Sequence, residues 1–122
     1  MKKAMAMALL AAGFTTPAAA QLSTQVAGDL RCITILSAAT ATVSETQRPQ
    51  MAAAVLYFIG RVDGAAPNLD LTSEIRRIVP TLGSLNLGDE AKRCAAILTE
   101  KGAKLQDVGK ALQEEGKAPG AK

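Results

Sequence analysis

The chain has 122 residues, with 14 Lys and Arg against 11 Asp and Glu, and no histidine. That length makes one small domain, and the composition excludes Ser-His and Cys-His nucleophile pairs and histidine-based metal sites. Two cysteines are too few for a zinc tetrahedron, and the three aromatic residues are not interleaved with basic runs, which argues against a nucleic-acid surface.

In chain order, Lys2 and Lys3 come first, an apolar stretch fills 4–14, and Thr15-Thr16-Pro17 breaks it before Ala18-Ala19-Ala20. This is the order of a bacterial secretory signal: a positive start, an apolar run and a small-residue cleavage site. It predicts removal of residues 1–20 before Gln21 and a periplasmic or secreted mature chain. The apolar run is shorter than the roughly 20 residues a bilayer span needs, so no membrane span is expected in the mature chain. Without Lys2 and Lys3, twelve basic groups face eleven acidic ones, a net charge of +1. The basicity is then mostly a targeting feature, and nucleic-acid binding loses its electrostatic support. In an oxidising compartment the natural reading of Cys32 and Cys94 is one disulfide, set against two free buried thiols. Closing so long a loop stabilises by about 4 kcal/mol in the chain-entropy picture.

The mature region is rich in alanine and leucine and has few alternating runs, so it reads as all-α. The expectation is a small four- to five-helix orthogonal bundle over 21–115, stapled by the disulfide, with a disordered tail at 116–122. The first helix is predicted over 28–44, with Cys32, Ile35, Leu36, Ala39 and Val43 on one face. Pro49 opens the second, a position that needs no N–H. Its run "MAAAVLYFI" (51–59) holds no charged residue, which predicts a central helix covered by its neighbours. Tyr57 and Phe58 supply its bulk. "GRVDG" (60–64) then reads as the helix exit, with Gly64 as a left-handed cap and Pro67 forbidding continuation. Arg61 either caps the last carbonyls or pairs with Asp63, so Arg61→Ala is expected to change stability by no more than about 1 kcal/mol.

"NLDLTSEIRRIVPTL" (68–82) starts the third helix, with Asp70 as N-cap and Leu71, Ile75, Ile78 and Leu82 as an apolar stripe. Pro80 either kinks this helix or ends it near Ile78. Arg76 and Arg77 are expected to face outward. Gly88 and Asp89 announce a fourth helix, with Ala91, Cys94 and Leu98 on one face. It is either one long helix that tolerates glycines or two, 89–101 and 104–115; the cost of an interior glycine, about 1 kcal/mol, favours the split at Gly102. The paired carboxylates Asp89-Glu90 and Glu114-Glu115 are expected on exposed faces, in a chain too small to offer the cleft that paired catalytic carboxylates need. No catalytic residue, cofactor or metal site is expected, and the chain does not read as an enzyme.

Cys32, the 51–59 helix, the "DLT…IVP" stretch and Cys94, in that order in an exported chain, resemble the acid-stress periplasmic chaperones of the HdeA and HdeB type. The resemblance implies a homodimer that dissociates in acid and holds unfolded clients on its apolar surface. The alternative is an envelope structural or protein-interaction module that binds one specific partner. Tyr57, Arg61, Arg76 and Arg77 are the candidate interaction surface in either case.

Overall fold

The computed structural model describes residues 21–117 and Gly120; the expected signal sequence and most of the expected tail lie outside them. The described residues form four α-helices: α1 (Thr24–Thr40), α2 (Arg48–Ala65), α3 (Leu71–Ile78) and α4 (Leu87–Lys117). A 3₁₀ turn, Val79–Ser84, joins α3 to α4, and no strand occurs among the described residues. The chain is thus a helical bundle, as its composition suggests.

Each helix boundary has a local cause. The α1 helix begins earlier than its apolar spacing predicts because the Ser23 hydroxyl accepts from the Val26 N–H (3.2 Å) and caps it. It ends at Thr40, where the hydroxyls of Thr40 and Thr42 donate back to the carbonyls of Leu36 and Ala39 (2.8 and 2.9 Å). Such side-chain bonds compete with the helix ladder. Pro49 lies in the first turn of α2 as expected. Asp70 caps α3 by accepting from the Ser73 N–H (3.0 Å) and the Ser73 hydroxyl (2.9 Å). Hydrogen bonds from Ser73 to its carboxylate hold Asp70 below the usual aspartate range. Pro80 ends α3 at Ile78 and tightens the chain into the 3₁₀ turn.

The centre of the bundle is α1, not α2. The core consists of Val26, Leu30, Cys32 and Ile33 from α1, Phe58 and Val62 from α2, Ile78 from α3 and Cys94 from α4. The uncharged run 51–59 is only partly covered: Leu56 is 66 % exposed, while Phe58 is fully buried. An absence of charge marked this run as apolar but did not place neighbours on all its sides. The α1 and α2 helices pair along their length, α3 packs on α1, and α4 meets α1 where Cys32 and Cys94 are joined (S–S 2.06 Å, Cα–Cα 5.7 Å).

Two expectations about glycine are overturned. Gly60 and Gly64 are both helical; the one glycine with positive φ among the described residues is Gly120. No left-handed cap forms at Gly64, because the Ala66 N–H still donates to the Val62 carbonyl (2.7 Å) before Pro67 stops the helix. Likewise α4 does not break at Gly102 but runs unbroken to Lys117, so Gly116 and Lys117 belong to a helix and not to the tail. Glu100 pairs with Lys104 across Gly102 (3.1 Å), and Asp107 with Lys110 across Gly109 (4.0 Å). Such i,i+3 and i,i+4 pairs offset part of the glycine cost.

Candidate functional site

The pairing of α1 with α2 on one side, and the attachment of α4 to α1 around the disulfide on the other, leave a gap. An apolar groove of about 850 Å³ runs between α2 and α4. Leu36, Val43, Met51, Ala53, Ala54 and Tyr57 form one wall, and Ala91, Ala95, Leu98, Gly102 and Leu105 the other. Its polar lining is limited to Gln47, Gln50 and Lys101. Lys101 is drawn to Glu100 (3.0 Å), and the hydrogen bond to that carboxylate raises its pKa. The volume is in the range of ligand-binding clefts, but no cluster of convergent polar groups or metal ligands accompanies it among the described residues. Apolar side chains along both walls, alanines among them, suit the groove to an apolar chain segment more than to a small polar substrate.

Of the four residues singled out in sequence, only Tyr57 lines this groove. It is half-buried, and its ring meets Phe58 edge-on, 5.4 Å between centroids. Arg61 neither caps a helix nor pairs with Asp63. It turns inward, its Nε donating to the Asp29 carboxylate (2.8 Å) and its Nη1 to the Tyr57 hydroxyl (3.4 Å). The guanidinium carbon also lies 5.8 Å from the Tyr57 ring centroid and 6.0 Å from that of Phe58. The bond to Asp29, and then that to Tyr57, raises the Arg61 pKa further. Asp29 is 1 % exposed, so this is a buried ion pair that locks α2 onto α1. Arg76 and Arg77 are exposed on α3 as expected, and Arg77 pairs with Glu74 (Nε 2.9 Å). Among the described residues no hydrogen bond or ion pair ties either arginine to Tyr57 or Arg61.

A second polar cluster went unread in the sequence. Arg93 lies over the disulfide: its Nη2 donates to the Gly28 carbonyl (2.8 Å), to Glu90 (3.0 Å) and towards Cys32 Sγ (3.3 Å). A Cβ at Gly28 would stand 3.1 Å from the Arg93 guanidinium, so the glycine makes room for it. Glu90 also accepts from Arg31 Nε (3.0 Å). Glu90 is therefore not the exposed half of a carboxylate pair, as expected, but a half-buried clasp between α4 and α1. Burial alone would raise its pKa; the hydrogen bonds from Arg31 and Arg93 outweigh that and hold it below the usual glutamate range. The available signal was spacing: Arg31 stands next to Cys32, and Arg93 next to Cys94.

No protein-family model, curated protein or solved structure matches the chain. Among the described residues, no helix is long and apolar enough to cross a membrane.

Proposed function

We propose that this is an exported, non-enzymatic binding protein whose groove between α2 and α4 holds apolar segments of unfolded client proteins, in a chaperone-like role. The observation that carries this reading is the groove itself: about 850 Å³, walled by alanine, leucine, methionine and a tyrosine ring, with a single charged residue in its lining. Such a trough suits the apolar face of a helix or an extended apolar segment, the helix-in-groove mode of recognition. Its mostly apolar walls impose no fixed polar pattern, which favours several clients over one partner. An oxidising compartment fits the disulfide.

The test is suppression of aggregation for several unrelated unfolding proteins, at neutral and acid pH. Ala53→Glu and Ala95→Glu place carboxylates at exposed positions inside the groove, where they leave the core intact. The expected result is protection by the native protein and its loss in both variants, at unchanged helical content. Protection of no client by the native protein would overturn the reading, and capture of one specific partner would then favour the interaction-module alternative.

A further inference from the structure

Beyond its first turn, the last half of α4 is an arm that no other helix among the described residues covers. From Gly102 to Lys117 the helix leaves the body, and Leu105, Val108 and Leu112 are exposed by 73, 54 and 62 %. Three and four residues apart, they form one seam along a single face. An arm of this length with glycine at 102, 109 and 116 has little helical stability of its own in water. A continuous helix there calls for something laid against the seam.

We propose that the cover is a second copy of this chain, the two α4 arms pairing antiparallel about a two-fold axis with Leu105 of each level with Leu112 of the other. Charge selects both occupant and direction. Lys101 and Glu115 stand at the two ends of the seam, Lys104 lies on one flank, and the other flank carries the small residues Gly102, Gly109 and Gly116. Lys101 and Lys104 share the single carboxylate of Glu100 (3.0 and 3.1 Å), which leaves one positive charge over. Glu115 makes no ion pair among the described residues. At a rise of about 1.5 Å per residue, the register that pairs Leu105 with Leu112 sets Glu115 of each copy level with Lys101 and Lys104 of the other. A parallel pairing would instead set Lys104 against Lys104 and Glu115 against Glu115. The glycine flank lets the two backbones approach closely, and the two-fold uses each arm once on each side, so the assembly closes at two copies. Leu105, Lys101 and Gly102 also line the end of the groove, whereas Val108 and Leu112 do not, so substitutions at 108 and 112 test the pairing without altering the groove.

The test is sedimentation across a dilution series of the oxidised protein without its first twenty residues, which retains the whole described fold. The native chain is expected to be a dimer, and Leu112→Asp and Val108→Asp monomers with the disulfide and helical content kept. Glu115→Lys, and the pair Lys101→Glu with Lys104→Glu, should each weaken the dimer at least tenfold; combining all three should restore it and restore its fall with added salt. A native chain that stays monomeric at every concentration overturns the proposal. So does a dimer that survives Leu112→Asp, since its interface must lie elsewhere. A dimer lost in Leu112→Asp but not restored by the triple charge reversal overturns the antiparallel register.

Discussion

A carboxylate as deeply buried as that of Asp29 is costly to leave without a partner, and Arg61 supplies one from the next helix. Removing one member of such a pair leaves the other uncompensated, at a cost of about 3–5 kcal/mol when both are buried. A quarter of the Arg61 side chain reaches solvent, so Arg61→Ala should cost about 2–4 kcal/mol, well above the small effect expected of a capping residue. Urea denaturation of Arg61→Ala beside Asp63→Ala checks this: the first should shift the midpoint strongly and the second hardly at all. Tyr57→Phe removes only the long 3.4 Å bond from Arg61 and should stay within about 0.5 kcal/mol of the native protein. Phe58→Ala, by contrast, empties the largest fully buried side chain and should cost about 3–5 kcal/mol. A melting series that reversed the order of these two aromatic variants would place the core on the wrong side of α2.

At the level of elements, the two helical glycines of α2 stand in open space, with nothing within 4 Å of a Cβ at either Gly60 or Gly64. Gly64→Ala should therefore stabilise the protein by up to about 1 kcal/mol through helix propensity. Had Gly64 been a left-handed cap, the same substitution would destabilise it, so the sign of the change in melting temperature separates the two. The comparison shows what the sequence could carry. Caps and breakers were legible because they act locally: Asp70 three residues before Ser73, Pro49 at a helix start, Pro80 at a helix end. The cysteine pairing was legible because the chain holds only two cysteines. Glycine was misread because a cost of about 1 kcal/mol does not by itself end a helix, and the i,i+3 and i,i+4 ion pairs along α4 offset part of it. Asp29, Glu90 and Arg93 were missed for a different reason. Their meaning lies in contacts between residues some sixty positions apart in the Arg31–Glu90 and Gly28–Arg93 cases, and thirty-two apart in Asp29–Arg61. The groove was out of reach as well, since it is a gap between α2 and α4, each placed by its contacts with α1.

For the molecule as a whole, acid acts through charge. With residues 1–20 removed the net charge is +1 at neutral pH, and protonating the eleven carboxylates takes it to +12. Self-repulsion then opposes the compact state, and the clasps between helices lose their anions. Glu90 defines where one of these losses falls. Its folded pKa lies below the ordinary value of 4.5, because Arg31 and Arg93 together outweigh its burial. A carboxyl group lowered on folding contributes stability that is complete above its unfolded pKa and disappears as pH falls through its folded one. Unfolding free energy should thus decline from about pH 4.5 downward, and the α4–α1 clasp should loosen while the Cys32–Cys94 bond keeps the two helices tethered. Glu90→Gln keeps the side-chain shape but removes the titration. The variant should be less stable than the native protein at pH 7, should lose less on acidification, and should converge with it at the lowest pH. Equilibrium denaturation of both proteins between pH 7 and pH 2 measures the two curves; curves that ran parallel throughout would show that Glu90 is not linked to folding and that the acid response belongs to the general charge of the chain.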